Sequence, residues 1–367
     1  MEIIPVTTDR DVETFLRLPW RIYHDDPYWV PPLLSEQRQL LTGRHPFFEK
    51  SQMRLFLASK GNEAVGRIAA IIDHQFLESH QDPLGFFGFF ECLHDTAAAE
   101  RLLGAAGQFL KGEGMRGMRG PVNPSMHAPC GLLVEGFAFP PSFLTPYNPA
   151  FYQDLLEMAG CRKAKDLLAY TLQIWTDPPP KVLRAAEEAR RRGIRIRPVD
   201  VKRLGKDIQI VRELYNMAWE KNWGFTPMSH AEAEWMAKNL KPLIIPSLAL
   251  IAEAEGSPVG FLMLLPDYNQ ALRHLNGRLG PLGLLKFLWY RRRIRDVRLL
   301  LLGMRPEYRG KGVDAFLFLT AFQSLREKGF TKAEISWILE DNWVVLRMAE
   351  RLGGTLYKRY RIYELPL

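Results

Sequence analysis

Residues 297–314 read VRLLLLGMRPEYRGKGVD and join an apolar run to a helical pattern through a basic loop that contains glycine. The run from Val297 to Met304 is almost wholly apolar, as a central strand of a parallel sheet is when both of its faces are buried. From Val313 to Lys328 the apolar residues recur at helical spacing, and the pattern stops at Gly329, a common helix C-terminal signal. The stretch therefore predicts strand, loop and helix, the repeating unit of an α/β fold.

The loop between this strand and this helix suits a pyrophosphate. Gly310 and Gly312 allow a tight turn, and the first N–H groups of the helix are unpaired and lie at the positive end of its dipole. The alternative interpretation is a surface turn that only needs flexible glycines. The loop has neither the GKS/T of a Walker A motif nor a GxGxxG pattern, so the sequence argues against an ATPase or a dinucleotide-binding fold.

The pattern around this loop occurs twice in the chain. Gly66 and Gly260, in two predicted hairpins, are as far apart as Asn148 and Asn342, each of which is predicted to begin a helix. Each copy reads as helix, helix, hairpin, strand, helix, strand, helix, strand. We therefore predict an α/β protein of two tandem mixed-sheet domains related by internal duplication.

Prolines and charged residues mark the boundary between the two copies. The stretch TDPPPK, residues 176–181, is followed by a charged helical stretch and by RRRGIRIRP, where prolines and charge replace the apolar pattern. We predict a first domain at 1–175, a linker at 176–195 and a second domain at 196–367.

Length and composition agree with two soluble domains. The chain has 367 residues, of which 47% are hydrophobic and 25% are charged, so it can bury real cores and is neither collagenous nor disordered. Lysine and arginine number 49 against 41 aspartate and glutamate residues, a net charge of +8. This excess favours anionic partners such as phosphates, CoA, nucleic acid or anionic lipid, without choosing among them.

The sequence predicts a protein of a reducing compartment. Its first residues are acidic where a signal peptide would be basic, and no apolar stretch is long enough to span a membrane. Cys92, Cys130 and Cys161 lack ligand-like spacing, which favours buried reduced thiols. We expect a cytoplasmic location, either free or peripheral at the inner face of the membrane.

The basic loop resembles the acyl-CoA loop of the GNAT N-acyltransferase superfamily, in which Arg or Gln, two residues, Gly, one residue and Gly or Ala follow in order. Arg309 and Gly312 match this pattern, whereas Asp314 departs from it. Asn342, at the start of the helix after the fifth strand, and the ending Leu352 to Gly354 add to the resemblance. It implies two tandem GNAT-like domains, the first of them degenerate, and direct transfer of an acyl group from acyl-CoA or acetyl-CoA to an amine.

The resemblance implies a set of residues around the CoA. The N–H groups near Gly303 and Met304, at the splayed end of the central strand, would face the developing oxyanion. The residues expected to bind the cofactor are Gly303, Met304, Arg309, Gly310, Lys311, Gly312, Val313, Asp314 and Asn342. Within this set, Gly312→Glu is expected to abolish acyl-CoA binding and leave the fold intact.

The proton-transfer groups remain open at this point. The family's usual tyrosine acid is replaced by Ala349, so we consider Tyr357 on the last strand as an alternative acid, although an aromatic residue there also suits the core. Glu340 and Asp341 are candidate bases, or alternatively caps of the helix at Asn342. No HExxH motif or Cys/His cluster indicates a metal.

The first copy lacks the basic glycine loop. Its strand from Phe86 to Cys92 runs almost directly into a helix near Thr96 to Lys111, so we do not expect it to hold a pyrophosphate. It has instead a loop rich in Pro and Asn between Gly120 and Pro149, which is either structural or lines an acceptor site. His127 in this loop is a candidate general base or a structural histidine.

An insertion, NGRLGPLGLLKFLWYRRRIRD at 276–296, separates the second hairpin from the central strand. Leu, Phe, Trp and Tyr beside four arginines are typical of a helix in a membrane interface. The alternative is an amphipathic helix packed on its own domain. The interfacial interpretation favours a lipid amine, such as a sphingoid-type amine, as the acceptor, because some bacterial GNAT-like proteins of this layout resemble ceramide-forming enzymes.

Three classes of function compete. The first is an acyl-CoA-dependent N-acyltransferase with a small-molecule or lipid amine acceptor. The second is a catalytically inactive GNAT-like protein that binds CoA or a partner, as suggested by Asp314 and Ala349. Nucleic-acid binding is not expected, because a basic composition without an RRM, helix-turn-helix or zinc pattern is weak support.

Overall fold

The computed structural model describes residues 1–43, 45–175 and 177–367. They form two compact units, the first comprising Met1–Leu168, Asn269–Arg291 and Tyr357–Leu367, and the second Ala169–Tyr268 and Arg292–Leu356. Each unit therefore draws on more than one stretch of sequence. The boundaries of 1–175, 176–195 and 196–367 stay a prediction; Thr176 lies outside the described residues.

The helices and strands follow in an order that repeats. The first twelve elements are β1 (Glu2–Pro5), α1 (Asp9–Ile22), α2 (Leu34–Leu41), β2 (Ser51–Lys60), β3 (Glu63–Asp73), α3 (His74–His80), β4 (Leu84–Cys92), α4 (Thr96–Gly112), β5 (Gly117–Gly120), β6 (Leu132–Glu135), α5 (Tyr152–Met158) and β7 (Arg162–Gln173). The others are α6 (Pro180–Arg191), β8 (Ile194–Pro198), α7 (Leu204–Trp219), α8 (His230–Leu240), β9 (Ala249–Ala254), β10 (Ser257–Pro266), α9 (Asn269–Leu272), α10 (Pro281–Tyr290), β11 (Asp296–Met304), α11 (Val313–Glu327), β12 (Lys332–Leu339), α12 (Trp343–Arg351) and β13 (Thr355–Pro366).

The first unit is built on a mixed sheet with the order β1-β2-β3-β4-β5-β13. Its first four strands are antiparallel to one another, and β4 and β5 are parallel. Helix α4 packs its small and branched face, including Ala99, Leu102 and Ala106, into a core that also contains Ile68 and Phe87. Strand β3 is buried without a break from Val65 to Asp73, so both of its faces are covered.

The second unit has the strand order β8-β9-β10-β11-β12. Its strands are antiparallel except for β11 and β12, which are parallel. The capping box of Ser229 and Glu232 begins α8, and Gly329, with a φ of 74°, follows the end of α11. The α/β mixed-sheet class predicted from the sequence is confirmed in both units.

The elements agree closely with the sequence-based prediction, and the start of the helix predicted at Asn148 differs. Asn148 does not begin a helix, because α5 starts at Tyr152 and the Asn148 amide instead bonds the backbone N–H and carbonyl of Leu133. This difference arises from a tertiary contact that local sequence does not report. The charged helical stretch predicted after residues 176–181 is α6, which packs against α11.

The three cysteines are buried, as the sequence predicts. Burial raises the pKa of Cys92 and of Cys161 to about 12, which keeps both thiols protonated. Within the described ranges, none of the helices is both long and apolar enough to cross a bilayer.

Candidate acyl-CoA site

The second unit opens a gap between its two parallel strands. The β11–β12 ladder begins at Asp296 with Lys332 and ends at Leu299 with Ile335, although β11 continues to Met304. On its other edge β11 stays paired with β10 up to Met304. The last residues of β11 therefore have a ladder partner on one side only, and their other edge borders the gap.

A β-bulge lies at the start of this gap. The register of β10 and β11 shifts between Met263, opposite Leu301, and Leu264, opposite Leu299, which leaves Leu300 as the extra residue. Beyond the bulge, Gly303 lies close to its neighbours, since a Cβ there would be 2.6 Å from Phe261 Cε1. Bulges of this kind re-aim backbone groups at functional sites.

The basic loop follows β11 and leads into α11. Gly310 and Gly312 have φ values of 71° and 79°, in the left-handed region that favours glycine. Gly312 is the N-cap of α11, and no side chain caps this helix among the residues that the structure describes. The first N–H groups of α11 are thus available to an anion at the positive end of the helix dipole.

Two cations flank the loop. Arg309 is exposed, and its Nη2 donates a hydrogen bond to the carbonyl of Ala218 at 2.9 Å, which fixes the loop to α7. The Lys311 side chain is also exposed, with Nζ 5.2 Å from the centre of the Tyr308 ring. Asp314 is half-buried in the first turn of α11.

The neighbours of Gly312 make Gly312→Glu unsuitable as a test of acyl-CoA binding. A Cβ at this position would lie 2.2 Å from the carbonyl oxygen of Ala185 in α6. Gly312→Glu would therefore separate α6 from α11, so the expectation that this variant leaves the fold intact is wrong. Lys311 offers a test of the same loop without that steric conflict.

The end of β12 carries three of the candidate residues. Parallel strands bring their carboxyl ends to one edge of the sheet, so Glu340, Asp341 and Asn342 follow β12 at the edge where β11 ends. The Asn342 Oδ1 accepts a hydrogen bond from the N–H of Val345 at 3.3 Å and caps α12. Capping thus falls to Asn342, while Glu340 is half-buried and Asp341 exposed.

The other candidate proton-transfer residues belong to the first unit. Tyr357 contacts Phe139 edge-to-face, with ring centres 5.3 Å apart, and Lys358 Nζ lies 4.8 Å from the centre of its ring. His127 is half-buried in the loop rich in proline, and its backbone N–H donates a hydrogen bond to Ser125 Oγ at 3.3 Å. Ala349 is fully buried in α12. The candidates therefore form two groups, one in each unit.

In the first unit the corresponding gap is closed by the chain itself. The β4–β5 ladder ends at Phe86 with Arg119, but Val122 N–H then donates to the carbonyl of Phe87 at 2.9 Å. Asn123 Oδ1 accepts a hydrogen bond from the N–H of Phe89 at 2.6 Å. A Cβ on Gly88 would be 1.7 Å from the Val122 carbonyl oxygen, so no room is left beside this strand.

An apolar cavity of the second unit was not predicted from the sequence. It lies between α7, α8 and the sheet, and has an unfilled volume of about 600 Å³, counting its opening to solvent. The apolar residues of α7 at helical spacing, Leu204, Ile208, Val211 and Tyr215, line it and were the available signal. No group of three or more Asp, Glu, His or Cys side chains suited to a metal ion occurs among the described residues.

Paired mixed α/β units, one with a splayed strand pair and an uncapped helix after a basic glycine loop, define a tandem acyltransferase architecture. The sequence model of the Acetyltransferase (GNAT) family matches residues 208–354. The chain also aligns with the bacterial ceramide synthase of Caulobacter vibrioides at 35% identity, over 100% of this chain and 98% of that one. It belongs to the GNAT acyltransferase family.

Further comparisons agree with this assignment. Protein YghO of Escherichia coli K12 is 34% identical, with 96% of this chain and 92% of that protein covered. A tandem GNAT protein from the clavulanic acid biosynthesis pathway has the same fold, with a TM-score of 0.59 at 12% identity over 100% and 98% of the two chains. A GCN5-related N-acetyltransferase from Sphaerobacter thermophilus superposes with a TM-score of 0.55 at 14% identity over 99% and 95%.

Proposed function

We propose that this protein transfers an acyl group from acyl-CoA to the amine of a lipophilic acceptor. The observation that carries the proposal is the gap between β11 and β12, which is followed directly by the uncapped N-terminus of α11. The name of the Caulobacter relative, a ceramide synthase aligned over the full chain, supports a lipid amine as the acceptor.

The proposed chemistry needs few groups. The basic loop, with Arg309 and Lys311, would hold the diphosphate of CoA, and backbone N–H groups near Gly303 and Met304 would stabilise the oxyanion of the thioester carbonyl. Glu340 or Asp341 would take the proton of the attacking ammonium, since both follow β12 at the same edge of the sheet. Tyr357 and His127 remain candidates for proton transfer.

The direct test is a transfer assay with palmitoyl-CoA and a panel of amines that includes a long-chain sphingoid base and a short water-soluble amine. We expect CoA thiol release and N-acyl product with the sphingoid base, at a rate at least about tenfold above that with the short amine. Binding of CoA without turnover of any amine would favour the alternative, a catalytically inactive GNAT-like protein that binds CoA or a partner.

Helix α10 supports a membrane surface as the place where the acceptor is met. None of its residues is buried, and Leu282, Leu285 and Trp289 are 77%, 65% and 57% exposed. The preceding turn holds the helix to the first unit, where Trp20 Nε1 donates to Asn276 Oδ1 at 2.7 Å. The exposed arginines 291–293 follow directly in the chain. Apolar side chains next to arginines match the acyl and phosphate layers of an anionic bilayer.

We expect Leu282→Ser/Leu285→Ser to weaken binding to phosphatidylglycerol-containing vesicles by at least about tenfold in cosedimentation, because the two leucines would lose their burial in the bilayer. The matched control is Met158→Ser/Leu183→Ser, which changes two exposed apolar residues outside α10. Replacing Arg291 to Arg293 with glutamate should also abolish binding at low salt. Vesicle binding equal to that of the wild type in all variants would rule out α10 as the contact.

A further inference from the structure

The apolar cavity of the second unit has the properties of a ligand site. Protein cores pack with few voids larger than a water molecule, whereas here the space between α7, α8 and the sheet is unfilled and opens to solvent. Most of the residues that line it are apolar: Val199, Leu204, Ile208, Val211, Tyr215, Met228, Ala233, Met236, Ala237, Leu240, Ile244, Ala249, Met263 and Leu301. Three of them are methionines, whose flexible side chains adapt to the shape of a bound apolar group.

Of the two charged residues of the lining, Asp207 is paired within the protein and does not need an ionic ligand. Asp207 is engaged by Arg197, whose guanidinium donates to both carboxylate oxygens at 2.7 and 2.9 Å. The Asp207 carboxylate also accepts a hydrogen bond from the N–H of Asp200. Arg212 is half-buried on α7, and its Nε is buried without a hydrogen-bond partner among the described residues, so it is a polar position in the lining. Hydrocarbon is therefore the chemistry that matches most of the wall.

The cavity reaches the β-bulge beside the strand gap. Met263 and Leu301 both line it, and they face each other across the strand pair at the position where the register shifts. Leu301 is two residues before Gly303, in the part of β11 that has lost its pairing with β12. The wall of the cavity is thus continuous with the backbone edge proposed to hold the thioester.

We propose that the cavity between α7, α8 and the sheet binds the hydrocarbon chain of a long-chain acyl-CoA. This rests on the proposed function, because the thioester carbonyl must lie near Gly303. The acyl chain begins at that carbonyl carbon, so it enters the cavity at Leu301 without an intervening spacer. The depth of the cavity would then limit the length of the acyl chain that the protein accepts.

The test fills the cavity from α8. Ala237 lines it and is buried, and Ala237→Leu would occupy space needed by two or three methylene groups. Ala231→Leu is the matched control, since Ala231 lies on the same helix and does not line the cavity. Isothermal titration with CoA and with palmitoyl-CoA should give an affinity for palmitoyl-CoA about 10- to 50-fold lower in Ala237→Leu than in Ala231→Leu, with CoA affinity equal.

Each outcome decides between the proposals. Equal palmitoyl-CoA affinity in folded Ala237→Leu and Ala231→Leu would overturn the inference, as would a loss confined to binding of a long-chain amine, which would assign the cavity to the acceptor. The expected pattern in a protein that acylates no amine would leave the inference standing and reject the proposed function. If Ala237→Leu does not fold, Ala233→Val makes the same test with a smaller addition to the same wall.

Discussion

Lys311→Glu is expected to weaken the binding of CoA and acyl-CoA on the order of 10- to 100-fold, the effect of losing one charge-assisted hydrogen bond worth about 1.5–3 kcal/mol. The residue is exposed in the loop that precedes α11, where the N-terminal N–H groups lack a side-chain cap. The variant also places a second carboxylate near Asp314, and both would repel a diphosphate. Titration calorimetry at two salt concentrations measures the change.

The control for this variant is Lys328→Glu. Lys328 is exposed at the other end of the same helix, so the substitution makes the same change of net charge far from the loop. We expect its affinity to stay within about twofold of the wild type, because the interaction between exposed charges separated by more than about 10 Å is largely screened at 0.1 M salt. Equal losses in both variants would mean that only net charge matters and that the loop does not hold the diphosphate.

Arg67→Met is expected to destabilise the protein by about 3–5 kcal/mol, because it leaves the carboxylate of Glu91, whose side chain is 15% exposed, without its cation. Arg67 is 7% exposed and lies 3.7 Å from the Glu91 carboxylate, which also accepts hydrogen bonds from Tyr23 and Tyr152, each at 2.8 Å. The free energy of unfolding in urea measures the effect. Arg21→Met, which breaks an exposed 2.7 Å pair with Glu63, should cost less than about 1 kcal/mol.

The pH dependence identifies the cause of this loss. Burial raises the pKa of Glu91 above its ordinary value of 4.5, and Arg67 partly opposes that rise. Between the ordinary and the raised pKa the folded state binds the extra proton, so stability falls as pH rises through that window. Without Arg67 the pKa of Glu91 rises further, and the deficit of Arg67→Met should be smallest below pH 4.5 and grow above it.

A second substitution completes the test of the buried pair. Arg67→Met/Glu91→Gln should recover much of the lost stability at neutral pH, since no uncompensated charge remains. It should also remove the additional pH dependence of the single variant. A deficit of Arg67→Met that is the same at acidic and neutral pH would show that lost packing against Phe15, rather than charge, is responsible.

Local signals in the sequence predicted the elements well. The bounds of β11 and α11 agree with the prediction to within one residue, because the apolar run ends at the basic loop and Gly329 follows the helix. The basic loop was found in the same way, since glycines, charges and a following helix are all local features. The helix start predicted at Asn148 was wrong because the Asn148 side chain accepts a hydrogen bond from the backbone N–H of Leu133 and does not cap a helix.

Features that depend on packing between segments far apart in the chain could not be predicted from the sequence. Nothing in residues 269–291 signals that they belong to the first compact unit, since that depends on contacts such as Trp20 with Asn276. The contact of Gly312 with Ala185 depends on how α6 meets α11. The cavity could be foreseen only as an apolar face of α7, because its volume depends on side chains from three strands, two helices and the connecting segments.

The closed gap of the first unit gives the two units different requirements for stability. An open gap beside a strand leaves backbone N–H and C=O groups without partners until a ligand binds. A domain with such a gap is therefore stabilised in proportion to the logarithm of the ligand concentration once that exceeds Kd. In the first unit, hydrogen bonds from Val122 to Phe87 and from Phe89 to Asn123 fill the corresponding positions with residues of the same chain. The strand edge of that copy is complete once the chain has folded, so its stability does not depend on a bound ligand.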